Sequence, residues 1–75
     1  MDVQQRYTIE IEAFGKRLRQ IRESKNLSQL DLEMQSGLNR TEISRIENGQ
    51  KNIEFLTIIK LADALGVTLQ ELFTG

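Results

Sequence analysis

The sequence predicts an all-α protein of five short helices, and three observations carry this prediction. The 75 residues include no proline, so no position forces a helix to stop in its interior. Apolar residues recur at spacings of three and four, which is the period of an amphipathic helix. Ser28, Asn39 and Thr68 each stand before an apolar-periodic stretch and are each followed, three residues later, by an acidic residue. This arrangement is the sequence signature of a helix N-terminus.

The composition limits both size and chemistry. A chain of this length forms one domain with a small core. The absence of cysteine excludes disulfides and thiolate zinc sites, and the absence of histidine removes the commonest general base and metal ligand. We therefore expect no catalytic activity, no metal and no cofactor. The sequence has neither a signal peptide nor the roughly 20-residue apolar run that crosses a bilayer, which predicts a cytoplasmic protein without a membrane partner.

The first helix is predicted from Phe14, Leu18 and Ile21, whose spacing places them on one face. Asn26 suits its C-terminal end, because Asn tolerates the left-handed conformation that commonly follows a helix. Gly15 lies inside the helix, where it costs roughly 1 kcal/mol relative to Ala. We therefore expect another part of the chain to pack closely against Gly15.

Residues 1–10 form an N-terminal extension that allows two interpretations. Tyr7, Ile9 and Ile11 alternate with polar residues, as in a strand. Tyr7 and Ile11 also share a helical stripe with Phe14. We favour a first helix that begins at about Thr8, with the preceding residues frayed. The alternative is an arm or exchanged strand that helps to form a dimer. Residues 11–75 form the domain proper.

The other four helices follow at short intervals. Gly37, Asn48-Gly49 and Gly66 are expected to end the second, third and fourth helices, because Gly and Asn accept positive φ at low cost. The fourth helix has the fullest apolar stripe, but Glu54 gives it no normal cap. The predicted helical regions, with their flanking cap residues, are 28–37, 39–49, 55–66 and 68–73.

The second and third helices, at residues 28–48, have the layout of a helix-turn-helix. Gly37 lies where the turn between them requires positive φ. Leu32, Ile43 and Ile46 can pack together beneath that turn. If the two isoleucines face inward, helical geometry directs one stripe outward. That stripe consists of Arg40, Thr41, Ser44 and Arg45.

The outward stripe carries the chemistry that a DNA major groove requires. Arginine bonds bidentately to guanine, and threonine offers a hydroxyl or a methyl group to thymine. The start of the second helix, with Ser28 and Gln29, suits a phosphate because its free N–H groups and its dipole attract anions. Residues 28–48 are therefore predicted to bind double-stranded DNA.

These segments resemble the lambda-repressor-like helix-turn-helix family, also called the Cro/repressor or xenobiotic-response-element type. The resemblance extends over most of the chain and implies a five-helix DNA-binding domain. The matching stretches are Gly15-Lys16-Arg17-Leu18-Arg19, Leu27-Ser28-Gln29, Asn39-Arg40-Thr41-Glu42-Ile43-Ser44-Arg45-Ile46-Glu47-Asn48-Gly49 and Leu61-Ala62-Asp63-Ala64-Leu65-Gly66-Val67.

The resemblance also implies roles for individual residues. A buried ion pair between Arg22 and Glu47 would join the first helix to the third, and a buried carboxylate needs such a partner. With the outward Ser44 included, the expected base-contacting residues are Gln29, Arg40, Thr41, Ser44 and Arg45. The expected phosphate-contacting residues are Ser28, Asn39, Lys51 and Asn52.

Two glutamates need separate treatment. Glu42 occupies the reciprocal capping position of the third helix, and we favour a bond from it back to Asn39 over a contact to cytosine. Glu33 stands where the resemblance implies a small alanine facing the third helix. A long side chain there predicts looser packing or a polar contact.

The predicted function is sequence-specific transcriptional regulation by a homodimer on a palindromic DNA operator. Ten basic residues against eleven acidic ones give a net charge of −1, which predicts weak non-specific DNA binding and reliance on base contacts. The candidate dimer residues are Leu69, Leu72 and Phe73, together with the exposed edge of the fourth helix; the alternative is that they only cover the core. The alternative function is an antitoxin-like or adaptor module that binds a protein partner.

Overall fold

Five α-helices make up the computed structural model, which describes residues 1–74. They are α1 (Val3–Ser24), α2 (Gln29–Ser36), α3 (Arg40–Glu47), α4 (Phe55–Leu65) and α5 (Leu69–Phe73). No strand occurs among the described residues. The all-α prediction is therefore confirmed, and α2 to α5 lie within the predicted boundaries.

Helix α1 begins earlier than the sequence pattern predicted. Asp2 caps it, because its Oδ1 accepts from the backbone N–H of Gln5 at 2.8 Å while the Gln5 Oε1 accepts from the N–H of Asp2 at 3.0 Å. This reciprocal box satisfies two donors of the first turn. The predicted start near Thr8 is therefore wrong, and so is the alternative of a strand. Residues 1–10 are helical from Val3 onward, and all ten are exposed.

The other end of α1 and its central glycine agree with the predictions. Asn26 has a φ of 58°, the left-handed value expected after a helix. A β-carbon at Gly15 would lie 2.6 Å from the carbonyl oxygen of Glu47 and closer still to that of Ile46. Glycine thus lets the backbone of α1 touch the last turn of α3.

The core lies where α1 packs against α3 and α5, and where α2 packs against α3 and α4. Leu72 belongs to this core and has no exposed surface, so the prediction that it contributes to a dimer surface is wrong. Leu69 is partly buried against the same core. The fully buried large side chains are Leu18, Leu32, Ile43, Ile46, Leu61 and Leu72.

Two further apolar regions lie on the surface. Phe73 is 57% exposed, although its ring lies against that of Phe14 with the centroids 5.1 Å apart. On α4, Phe55, Leu56 and Ile59 are 61%, 59% and 44% exposed. Between residues 1 and 74, no helix combines the length and the apolar character needed to cross a membrane.

Candidate nucleic-acid interface

The turn between α2 and α3 has the geometry that the sequence predicted. Gly37 ends α2 with a φ of 76°, and its N–H donates to the carbonyl of Glu33 at 2.9 Å. The next residue, Leu38, is buried in the core. The left-handed conformation of Gly37 and the burial of Leu38 together lead the chain directly into α3.

Helix α3 presents a polar face to solvent. Ile43 and Ile46 are completely buried, so the opposite side of α3 faces the solvent. On that side Arg40, Thr41 and Arg45 are exposed, and Ser44 is half-buried. The five predicted base-contacting residues line one open depression at the surface, formed by Gln29, Arg40, Thr41, Ser44 and Arg45.

Ser28 and Asp31 form a capping box at the N-terminus of α2. The Ser28 Oγ accepts from the N–H of Asp31 at 3.0 Å, and the Asp31 Oδ2 accepts from the N–H of Ser28 at 2.8 Å. The hydrogen bonds from the Ser28 backbone and then its side chain hold the pKa of Asp31 below its usual 3.8. The N–H groups of Gln29 and Leu30 have no acceptor among residues 1–74, so they can bind a phosphate.

The N-terminus of α3 is capped differently. The Asn39 Oδ1 accepts from the N–H of Thr41 at 2.7 Å and from that of Glu42 at 3.4 Å, which confirms Asn39 as the cap. Glu42 does not complete a capping box. Its carboxylate lies 3.6 Å from the Lys51 Nζ, because the loop after α3 supplies a charged partner that attracts it more strongly than a neutral N–H. The predicted capping role of Glu42 is therefore wrong.

The Glu42–Lys51 pair also changes how the loop after α3 can meet DNA. Lys51 is predicted to contact phosphate, and its ammonium lies 3.6 Å from the carboxylate of Glu42 on α3. The Lys51 ammonium has three donors, so it can contact a phosphate while it stays beside Glu42. Asn52, the other predicted loop residue, is exposed and lines a groove with Tyr7 and Ile53.

A buried ion pair lies beneath the recognition helix, as predicted. Arg22 donates from Nε to the Glu47 Oε2 at 2.7 Å and from Nη2 to Oε1 at 3.0 Å. The two side chains are 9% and 2% exposed. The hydrogen bond to Glu47 raises the pKa of Arg22 above its usual value despite the opposing effect of burial. A third bond, from Arg22 Nη1 to the carbonyl of Leu27 at 2.8 Å, fixes the guanidinium.

The sequence did not identify the partners in two contacts of this site. The Gln29 Nε2 donates to the Glu47 Oε1 at 3.1 Å, so the first residue of α2 is held by the buried pair. The Glu33 Oε2 accepts from the N–H of Arg40 at 2.8 Å, which gives the predicted polar contact of Glu33 a specific partner. The departure of Glu33 from the expected alanine is the sequence signal for the second contact, and the first contact has none.

No group of three or more potential metal-ligating side chains occurs in the part of the chain that the structure describes. Every buried side-chain nitrogen or oxygen described there has a hydrogen-bond partner.

Known proteins resemble this chain in both sequence and structure. The sequence is 42% identical over 62 residues to the control protein C.MunI of a Mycoplasma species, which covers 81% of this chain and 84% of that protein. The restriction-modification controller C.AhdI of Aeromonas hydrophila has a similar structure, with a TM-score of 0.84 and 43% identity over 87% of this chain and 98% of the other.

A second solved structure shows a related protein on DNA. It is the tetramer of the restriction-modification controller C.Esp1396I in complex with its natural 35-base-pair operator, with a TM-score of 0.74 and 25% identity over 85% of this chain and 95% of that one. The sequence pattern of the helix-turn-helix family matches residues 18–72. This chain therefore belongs to the helix-turn-helix family of DNA-binding transcriptional regulators.

Proposed function

We propose that the protein regulates transcription as a homodimer that binds a palindromic operator through the outer face of α3. One observation carries the proposal: the side chains of Gln29, Arg40, Thr41, Ser44 and Arg45 line a single open depression. Such a cluster of long donors and short hydroxyls matches the edges of base pairs in a major groove. The controller proteins that this chain resembles support the proposal.

Each side chain has a role suited to its position. Arg40 and Arg45 are exposed and can each bond bidentately to a guanine, and Thr41 can contact a thymine methyl group. Gln29 gives one amide hydrogen to Glu47 and retains a second donor and its oxygen for DNA.

Phosphate contacts would come mainly from the start of α2. The free N–H groups of Gln29 and Leu30 and the Ser28 hydroxyl are available there. Lys51 would add a contact through a donor that Glu42 does not use. Asn39 and Asn52 remain candidates, although the Asn39 oxygen is already used to cap α3.

The dimer surface is proposed on α4. Phe55, Leu56 and Ile59 form an exposed apolar face, which water disfavours and a symmetric partner would cover. The exposed edge of this helix was among the predicted candidates, and of those on α5 Phe73 is exposed, Leu69 is partly buried and Leu72 has no exposed surface. Two recognition helices in such a dimer would meet half-sites about one helical turn, roughly 34 Å, apart.

Selection of bound sequences from random duplexes tests this function. We expect a palindrome with half-sites about one turn apart, bound by two chains per duplex, with an affinity that falls steeply as salt rises. Arg45→Ala should remove the selectivity, whereas Arg19→Ala, which also removes one exposed arginine, should retain it. An unchanged selected sequence in Arg45→Ala would contradict the assignment of α3.

A protein-binding module is the second candidate function, and the exposed apolar face of α4 favours it. Under that function, DNA selection yields no enriched sequence. Binding to the partner would be insensitive to Arg45→Ala and only weakly dependent on salt, because no counterions are released from DNA.

A further inference from the structure

We propose that Glu33 is a positioning residue that both fixes the recognition helix and lowers the protein's affinity for DNA of any sequence. Its carbonyl oxygen accepts from the N–H of Gly37 at 2.9 Å, and its Oε2 accepts from the N–H of Arg40 at 2.8 Å. One residue of α2 therefore binds both the end of its own helix and the start of α3. The inference about DNA rests on the function proposed above.

The bond from Arg40 adds to the capping of α3. The N–H groups of the N-cap residue and of the first three helical residues have no partner within the helix itself. Here Asn39 accepts from those of Thr41 and Glu42, and Glu33 accepts from that of Arg40. No N–H in the first three positions of α3 is left for a phosphate, in contrast to the free groups of Gln29 and Leu30 at the start of α2.

The position of Arg40 depends on this bond. Arg40 is the first residue of α3, and its side chain lines the depression proposed to meet the bases. The first turn of a helix is where fraying begins when a cap is removed. An acceptor supplied by α2 therefore holds Arg40 in a fixed place relative to Gln29, the depression residue that α2 itself contributes.

The charge of Glu33 has the opposite effect on DNA affinity. Its carboxylate is only partly buried and lies against the positive end of α3, where it offsets the helix dipole. Glu42, the other carboxylate in the first turn of that helix, is paired with Lys51. Glu33 has no ion-pair partner among residues 1–74, so phosphates approaching this end meet its negative charge, and DNA of any sequence is bound less tightly.

The two effects can be separated by two substitutions. Glu33→Gln keeps an oxygen that accepts from Arg40 and removes the charge, whereas Glu33→Ala removes both. Glu54→Gln is a matched control, because Glu54 is an exposed residue at a helix start whose side chain makes no capping bond. The measurements are dissociation constants for the selected operator and for a scrambled duplex across a salt series, with the thermal midpoint of each variant.

We expect Glu33→Gln to bind both duplexes at least about twofold more tightly than the wild type and to keep the ratio of the two affinities. Glu33→Ala should gain the same non-specific affinity but lose about fivefold in that ratio, since its helix start is no longer held. Equal ratios in the two variants would overturn the positioning role. A Glu33→Gln affinity for scrambled DNA equal to that of Glu54→Gln would overturn the electrostatic role.

A measurement without DNA keeps this test independent of the proposed function. The amide hydrogen of Arg40 should exchange slowly in the wild type and in Glu33→Gln, and about fivefold or more faster in Glu33→Ala. The amide of Thr41, which Asn39 holds, is the internal reference. Equal exchange of the Arg40 amide in all three proteins would overturn the positioning role. If the wild type binds both duplexes equally, the proposed function fails, and the exchange result still decides the role of Glu33.

Discussion

Helices α3 and α4 each bury an apolar inner face, but the outer face of α3 is polar and that of α4 is apolar. Ile43 and Ile46 of α3 are fully buried in the same core as Leu61 of α4. The outer face of α3 carries arginines and hydroxyls, whereas that of α4 carries Phe55 and Leu56. The core thus determines only the inner half of each helix. The outer half can be polar or apolar without altering the fold, and function is encoded there.

The two helices also differ in how firmly polar contacts hold them. Helix α3 touches the backbone of α1 at Gly15, carries one partner of the buried Arg22–Glu47 pair, and is capped by Asn39 and Glu33. Helix α4 begins at Glu54 without a side-chain cap. Reading base edges requires hydrogen-bond geometry, which needs a fixed helix. Apolar association is non-directional, so the dimer surface proposed on α4 would need fewer such contacts.

Arg22→Ala should have the largest effect, because it removes the support beneath α3. Glu47 would remain as an unpaired buried carboxylate, which costs roughly 3–5 kcal/mol in the free energy of unfolding. Urea denaturation measures this loss, with Arg19→Ala as the control, since its exposed pair with Glu23 contributes roughly 0.3–0.5 kcal/mol. Similar losses of unfolding free energy in both variants would mean that the buried pair supports α3 no more than an exposed pair does.

Arg40→Ala should weaken operator binding by about 1–3 kcal/mol, the discrimination that a bidentate arginine–guanine contact provides. Its effect on folding should be small, because the N–H of Arg40 remains bonded to Glu33. Self-association through α4 should be unchanged. Fluorescence anisotropy with labelled operator and sedimentation of the free protein measure the two quantities. Weaker self-association in this variant would contradict the separation of the two faces.

The reciprocal change is Leu56→Ser on α4. Each side chain fully buried in a dimer contributes about 1.5–3 kcal/mol, and Leu56 already buries part of its surface within one chain, so a loss of about 1–2 kcal/mol in dimerisation is expected for each of the two copies of Leu56. Sedimentation equilibrium gives the dimer constant, and Met34→Ser, which removes another exposed apolar side chain, is the control. If Met34→Ser weakens the dimer and Leu56→Ser does not, the partner covers α2 instead.

The smallest effect is expected at the start of α2. The pKa of Asp31 is lower in the folded protein than in the unfolded chain, so its contribution to stability is present above pH 3.8 and is lost as the pH falls through the lower folded value. Asp31→Asn should therefore lower the thermal midpoint at neutral pH and have less effect at about pH 3. Calorimetry at both values measures this. An equal loss at both would show that the carboxylate charge is not involved.

The fold was predictable from the sequence wherever local signals decided it. Ser28, Asn39 and Gly37 occupy the predicted cap positions because capping depends on neighbouring residues. The same signal was present but not recognised at Asp2 and Gln5, so the start of α1 was placed too late.

The site was less predictable because its contacts join distant residues. The neighbour of Gly15 was expected but not identified, and the Gln29–Glu47 bond has no local signature. Leu72 and Phe73 are adjacent and both apolar, yet only the packing of α5 against α1 and α4 decides that Leu72 is buried.

Because α1 contacts α3 at Gly15, the position of the N-terminal end of α1 indicates the orientation of α3. From Gly15 back to Val3 the helix extends by about 18 Å at 1.5 Å per residue, and the Gly15 contact and the Arg22–Glu47 pair fix its direction relative to α3. The chain has no cysteine, so Val3→Cys would introduce a single site for a fluorescent dye. Distances from that dye to labels along a duplex would then report the angle at which α3 enters the groove.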